Sequence, residues 1–328
     1  MAHEPHETLW TLATAVIPSR TLQVIAELGV ADHIADKPVA FKELALACHA
    51  DPGALERAVL LLAAHGIFEC CEEGVAHTDA SRLLRSDHPM SMRSFPRMMG
   101  MASFTASFDQ LEHSIRTGSP AFELVDPDGL FAYLQRHADE ARIFDQAMTS
   151  KAAVDIAAVL ASYDFTRFTT IADIGGGRGH LLRAVLDRVP AARGVLFDLP
   201  PVIDSVDADI DRLTLHAGDF FSDALPNADA YILMEVIHDW DDADATAILS
   251  AVRAAASPGA TILIIEAATA NDQLDARVQT LDIIMLTITG GRERTSTHLT
   301  RLLDSAGLRA INVHQTPGTL HIVEATVV

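Results

Sequence analysis

The stretch Ile171–His180, IADIGGGRGH, constrains this chain more than any other. It reads as a short apolar strand, a glycine turn and a helix running through LLRAVLDRV. Glycines let the backbone turn sharply and approach a ligand where a side chain would collide. Repeated strand–turn–helix units of this kind build doubly wound α/β sheets. Asp198 follows in GVLFDLP, at the end of the next expected strand. A carboxylate there could accept hydrogen bonds from both hydroxyls of a ribose. The alternative is a tight strand–helix turn with no ligand at all.

The pattern is not that of a dinucleotide site. G-x-G-x-x-G places a pyrophosphate at a helix N-terminus. Here Gly175 and Gly177 fit, but the third position is His180 and the extra glycine is Gly179. Asp173, just before the turn, adds negative charge that phosphates would oppose and a cationic sulfonium with a free amino group would favour. This points to S-adenosylmethionine rather than NAD.

From Thr169 onward strands and helices alternate, as in a parallel α/β sheet. TTIADI, GVLFDL, LTLHAG, ADAYILME and ATILIIE are five expected strands. RAINVHQT and LHIVEATV, joined at Pro317-Gly318, form a hairpin signal, so the last strand should run antiparallel to its neighbours. A parallel sheet with such an ending fits the methyltransferase variant of the doubly wound, Rossmann-like fold.

The first 165 residues read as helical. TLWTLATAVIPSRTLQVIAELGVADHI carries apolar residues at helical spacing over residues 8–35, with a break expected at Pro18. FKELALAC and DPGALERAVLLLAAHG read as helix–turn–helix, with Asp51 capping and Pro52 first in the second helix. IFECC and GVAHT would add a small β-wing. DNA binding is disfavoured, because residues 30–100 hold seven Lys/Arg against ten Asp/Glu and the second helix has only Arg57. Packing or dimerisation is the better use. Further helices are expected through FPRMMGMASFTASFDQLEHSIRTG and over 139–163, where Phe144, Met148 and Val154 recur on nearly one face. The expected division is a dimerisation domain over 1–100, a helical connector contributing to a substrate pocket over 101–165, and a cofactor-binding catalytic domain over 166–328.

Bulk composition narrows the partners. At 328 residues and 49% hydrophobic, the chain can bury two cores. A formal net charge of -21 argues against nucleic acid. No apolar run reaches the ~18 residues of a membrane span, and no cleavable signal is visible in MAHEPHETLW. Three cysteines, two of them adjacent, suit a reducing cytoplasm. The fifteen histidines lack metal-ligand spacing, so no metal is expected.

The second chemical motif is EVIHDWDD, Glu235–Asp242, at the end of a strand. Ligands of open α/β sheets bind at strand C-termini. His238 would lie there on a loop, with Asp241 or Asp242 capping the next helix. An imidazole can take a proton from a hydroxyl as its oxygen attacks a methyl group; the plainer reading packs it under Trp240. Glu266, ending ATILIIE, and Glu293, after Gly290-Gly291, would share that edge of the sheet. A carboxylate beside a histidine fixes its tautomer and stabilises its cation. Nothing else suggests the sugar cleft of a two-carboxylate glycosidase.

DIGGGRGH, FDLPPVI, GDFF, IHDWDD and GGRERT, in this order, resemble the S-adenosylmethionine-dependent O-methyltransferases of the caffeate/hydroxyneurosporene type over nearly the whole chain. The resemblance implies a winged-helix-like dimerisation region, a homodimer, and a small, aromatic hydroxyl substrate. It makes His238 the general base with Glu266 and Glu293 beside it. Asp173, Gly175, Gly177, Asp198 and Leu199 would hold the cofactor, with Asp219 and Phe220 flanking its adenine. Phe144, Met148, Ile284, Met285 and Trp240 would line the acceptor pocket. Plant members often carry lysine where this chain has Met234, which leaves apolar or main-chain contacts to the adenine there. The loop TITGGRERT is a residue shorter than the plant pattern and lacks its asparagine, so phenylpropanoid acceptors do not follow.

Overall fold

In the computed structural model, residues 4–207, 210–267 and 274–327 are described. They form two compact units, one comprising residues 1–105 and 137–151, the other 106–136 and 152–328.

The first unit begins with two helices, α1 (Pro5–Thr14) and α2 (Val16–Glu27). The break falls at Ala15 rather than at Pro18. Pro18 sits in the first turn of α2, where its missing N–H would have had no intrahelical acceptor anyway. The helical stretch expected over 8–35 becomes two helices and a short 3₁₀ turn, Val30–His33. α3 (Phe41–Ala47) and α4 (Pro52–Ala64) lead into the hairpin β1 (Phe68–Cys71) and β2 (Gly74–His77). Asp51 caps α4 by accepting from the Ala54 N–H at 2.8 Å, and Pro52 opens it. Ile25, Val30, Leu44, Val59, Leu62, Phe68 and Val75 close a core around these elements. α1 buries none of its residues, leaving Leu9, Trp10 and Leu12 exposed.

The helical stretch that follows is broken into α5 (Asp79–Arg82), α6 (Ser94–Met99), α7 (Ala102–Asp109), α8 (Leu111–Thr117) and α9 (Gly129–Arg136). α10 (Ala138–Ser162) is the long helix expected from the sequence. Phe144 and Met148 lie half-buried on it, in the first unit; the side chain of Val154 lies outside the described residues.

The second unit is built on a seven-stranded sheet of β3 (Thr170–Ile174), β4 (Arg193–Asp198), β5 (Leu213–Ala217), β6 (Ala230–Met234), β7 (Thr261–Ala267), β8 (Leu308–Gln315) and β9 (Leu320–Val327). The order is β5-β4-β3-β6-β7-β9-β8. All five expected strands are present and pair in parallel, and β9 runs antiparallel to both β7 and β8. The connecting helices are α11 (His180–Arg188), α12 (Pro200–Ile203), α13 (Asp242–Ala255), α14 (Ala276–Ile288) and α15 (Ser296–Ser305). Alternation along the strands serves two cores. Ile171, Leu196, Ile232, Leu263 and Ile322 pack against Leu182, Val185 and Leu186 of α11. Ile174, Tyr231, Leu233, Ile262, Ile264 and Val323 pack against α13 and α15. β7 is buried throughout, as a central strand covered on both faces must be.

The chain runs from β3 outward to β5 and then returns to β6 on the other side of β3. That reversal opens a crevice at the C-terminal ends of β3 and β6, where such sheets bind ligands. Among the described residues, no helix is long and apolar enough to cross a membrane. Truncating Leu263, fully buried at the sheet centre, to alanine should cost ~2–5 kcal/mol of unfolding free energy. Urea unfolding followed by circular dichroism measures this; a loss under ~1 kcal/mol would mean that the site collapses around the missing atoms.

Candidate active site

Two loops meet at the crevice. The first follows β3 and carries the glycine turn. Gly175 and Gly177 adopt φ of 67° and 57°, which side-chain-bearing residues avoid. A Cβ on Gly175 would press on Val236 at 3.0 Å, so the turn lies against the loop after β6. A Cβ on Gly177 would meet nothing within 4 Å, which leaves its backbone facing open space. Asp198, at the end of β4, accepts from the N–H of Gly177 and the N–H of Leu199, both at 2.7 Å. These bonds fix the carboxylate while leaving it lone pairs for hydroxyl donors. Asp173 is 2% exposed, and its Oδ1 has no hydrogen-bond partner. Burial, then the nearby charge of Asp198, pushes its pKa up to about 7. A buried acid with an unmet acceptor atom suits a cationic amino or sulfonium group. The residues therefore fit the expected cofactor.

The second loop follows β6. Glu235 holds φ of 54°, an uncommon conformation for a non-glycine residue, and its N–H donates to the Ile265 carbonyl at 2.9 Å. A 3₁₀ turn, Ile237–Asp239, then brings His238 to the edge, before Asp241 caps α13 through the N–H groups of Ala243 and Asp244. His238 is 5% exposed. Its backbone N–H donates to Glu266 Oε1 at 2.8 Å, and its Nδ1 lies 2.8 Å from Glu293 Oε1. With Nδ1–H given to that carboxylate, the neutral ring presents the lone pair of Nε2. Burial alone would lower the His238 pKa. The charge of Asp239, the hydrogen bond and charge of Glu293, and the charge of Glu266 outweigh it and lift the value to about 10. Glu266, 1% exposed, is raised to about 7, chiefly by burial.

Glu293 reaches His238 because its own loop is pinned there. The N–H of Arg292 donates to the His238 carbonyl at 2.8 Å, and the N–H of Glu293 donates to Asp282 on α14 at 2.9 Å. Gly291 lies so close that a Cβ would sit 1.9 Å from the His238 carbonyl oxygen. Arg294 completes the joint and was not singled out from sequence. Only 2% exposed, it donates to the carbonyls of Ile237 and Trp240 and to the Asp242 carboxylate at 2.7–3.0 Å. The signal was present: GGRERT and IHDWDD each carry one half of this clamp.

Beside the histidine, Trp240 stacks with Phe131 at 6.0 Å between centroids and meets Phe220 and Phe221 edge-on at 5.8 and 4.7 Å. Trp240 and Phe220 thus share one aromatic cluster. Asp219 accepts from the Phe221 N–H at 2.9 Å, which shapes the GDFF turn. Met234 is half-buried at the end of β6, paired with Ile265 of β7. Ile284 and Met285 are half-buried on α14, and the Met285 carbonyl accepts from Gly290 at 2.8 Å. Phe144 and Met148 belong to the other unit. Among the described residues, no group of three His, Cys, Asp or Glu side chains is placed to hold a metal ion.

Fold and site together define a nucleoside-cofactor enzyme with a histidine–carboxylate centre. Family models specify it further. Residues 108–309 match the O-methyltransferase domain and residues 10–87 the O-methyltransferase dimerisation domain. The chain belongs to this S-adenosylmethionine-dependent O-methyltransferase family. It is 35% identical to a phenazine O-methyltransferase of Lysobacter antibioticus over 324 residues, covering 97% of this chain and 95% of the relative. It is 36% identical to 8-amino-8-demethylriboflavin N,N-dimethyltransferase of Streptomyces davaonensis, covering 92% and 90%. An O-methyltransferase from neocarzinostatin biosynthesis, solved with S-adenosylmethionine and 2-hydroxy-5-methyl naphthoic acid, superposes with a TM-score of 0.83 at 32% identity, covering 100% of both chains.

Two outcomes follow from this geometry. Gly291→Ala forces the two loops apart, so methyl transfer should drop ~100-fold, the scale of a misplacement near 1 Å. Calorimetry should still detect S-adenosylhomocysteine binding; unchanged turnover would refute the close approach. For Asp173, the folded pKa lies above that of the unfolded chain. Its contribution to stability therefore falls as pH rises from ~4 toward 7. Asp173→Asn should raise the unfolding temperature of the ligand-free protein at pH 8 and weaken S-adenosylhomocysteine binding. A lower unfolding temperature at pH 8 would contradict the first effect.

Proposed function

We propose that this enzyme transfers the methyl group of S-adenosylmethionine to a hydroxyl of a small aromatic acceptor, with His238 as general base. The observation that carries the reading is the buried His238 ring, held at Nδ1 by Glu293 and at its backbone by Glu266. The cofactor supplies an electrophilic methyl on a sulfonium, whose departure needs no metal. The protein's own work is alignment, exclusion of water and removal of one proton. His238 Nε2 takes the hydroxyl proton as the acceptor oxygen attacks, and Glu293 stabilises the imidazolium that forms. Three acidic neighbours, Asp239, Glu293 and Glu266, favour the protonated ring.

Asp173 and the turn Gly175–Gly177 would take the methionine end, Asp198 with Leu199 the ribose, and Asp219, Phe220 and Met234 the adenine. Trp240, Ile284 and Met285 are the residues of the second unit assigned to the acceptor. The phenazine named for one relative and the naphthoic acid bound to another support a planar aromatic class. A second reading is N-methylation, favoured by the riboflavin-derivative N,N-dimethyltransferase among the relatives. An amine with a free lone pair would need His238 far less. The third reading, a regulator using the helix–turn–helix and wing, is opposed by the acidic charge.

We also propose a cytoplasmic homodimer formed through the first unit. Leu9, Trp10 and Leu12 are 69–70% exposed on a helix that buries nothing within its own chain. Light scattering of a Trp10→Asp, Leu12→Asp variant should give a monomer; an unchanged dimer would place the interface elsewhere.

Methyl-labelled S-adenosylmethionine offered with phenols, hydroxyquinones and aromatic amines tests the reaction. Wild type should label a hydroxyl, and His238→Ala should do so ~10²–10⁴-fold more slowly while still binding S-adenosylhomocysteine. Equal rates would make His238 structural. Because the base must be unprotonated, kcat/KM should rise with pH above neutrality toward the value near 10. Glu293→Gln removes a charge that holds the proton, so that rise should move to lower pH. A fixed profile would assign it to ionisation of the acceptor instead.

A further inference from the structure

Among the described residues, four buried side-chain atoms have no hydrogen-bond partner: Asp173 Oδ1, Glu266 Oε2, Glu293 Oε2 and His321 Nδ1. The first belongs to the cofactor end of the crevice. Two of the others, Glu266 Oε2 and Glu293 Oε2, belong to the carboxyls beside His238. Glu293 and Glu266 both hold that residue. His321 is the cross-strand partner of Glu266, directly opposite it in the β7–β9 ladder. Residues so paired project from the same face with Cβ atoms ~4.5–5.5 Å apart, and alternation puts both on the face of Ile264 and Val323. The unmet carboxyl oxygen and the unmet ring nitrogen are therefore neighbours.

Their chemistry is complementary. Burial favours the neutral form of each: it raises Glu266 toward an uncharged acid and lowers His321 toward an uncharged imidazole. A neutral carboxyl donates, and an unprotonated ring nitrogen accepts. Glu266 also faces His238, Glu293 and Arg294, so its charge is felt at the reacting histidine. Exposure grows along the row: Glu266 is buried, His321 half-buried, and Gln315, opposite His321 on the edge strand β8, is exposed. Buried polar atoms without partners are rare in folded proteins, and two on one cross-strand pair ask for a use.

We propose that His321 is the partner of Glu266 through one bridging water, and the group through which that buried carboxyl exchanges its proton with solvent. The proton leaves Glu266 Oε2, enters the ring at Nδ1, and one proton leaves the ring from Nε2 to water; the reverse path restores the acid. His321 thereby governs whether His238 faces a neutral acid or a carboxylate when it takes up the acceptor's proton. It is a positioning residue rather than a catalytic one. Its bearing on catalysis rests on His238 as the base.

The test starts on the ligand-free protein, by infrared spectroscopy of the protonated carboxyl band that Glu266→Gln abolishes. On mixing with heavy water at pH 6, that band should shift at once in wild type. In His321→Phe, and in His321→Gln, which keeps a polar group but cannot take up and release a proton, the shift should slow at least tenfold. Added imidazole should restore part of the rate. In turnover, the pH profile of kcat should move in both variants while KM for the cofactor stays within twofold. Exchange in His321→Gln as fast as in wild type would overturn the proposal. Slowed exchange together with undiminished methyl transfer by His238→Ala would uphold the proton route and remove the reading of His238 as base.

Discussion

An imidazole, two carboxyls and a guanidinium lie out of water within one joint, and the site depends on how their charges are reconciled. Removing such groups from water costs several kcal/mol each, which only close pairing and full hydrogen bonding can offset. Arg294 meets this condition by ending on two carbonyls and a carboxylate. His238 and Glu293 meet part of it through each other, with Glu293 Oε2 left unpartnered. Glu266 is met only in part, and the shortfall appears as a carboxyl that holds its proton near neutrality. The loops after β6 and α14 are consequently one body, held by polar contacts where apolar packing would have left them free to slide.

The sheet supplies the rest by placement. Reversal of strand order between β3 and β6 puts the glycine turn and the His238 loop on adjacent strands. The contact of Gly175 with Val236 and Phe220 shows how tightly those loops adjoin. Residues assigned to the cofactor and residues assigned to the proton are thus set by one crevice. Asp173 at one end and Glu266 at the other both carry raised pKa values, for the same reason: each is a carboxyl buried beside another acid.

Much of this was legible in the chain. Short apolar runs marked every strand of the large sheet, because strands buried on both faces leave little room for other residues. Pro317-Gly318 marked the closing hairpin. His238 and Glu266 were legible through their positions at strand ends and Glu293 through the Gly290-Gly291 turn, although 55 residues separate His238 from Glu293. The helix break was misplaced because proline is a breaker only beyond a helix's first turn. Arg294 and His321 were missed for a different reason. One is an arginine whose burial depends on carbonyls from a distant loop; the other gains its meaning from a cross-strand register that no local pattern specifies.

That register has a consequence for the order of assembly. β9 follows every other strand in sequence, yet it lies between β7 and β8. β8 cannot join the sheet before β9 has inserted, and this late, non-local pairing should pace the folding of the second unit. Since His321 travels on β9, the wall behind Glu266 closes last. A chain still folding would therefore present the nucleoside crevice before it possesses a finished acid–base centre.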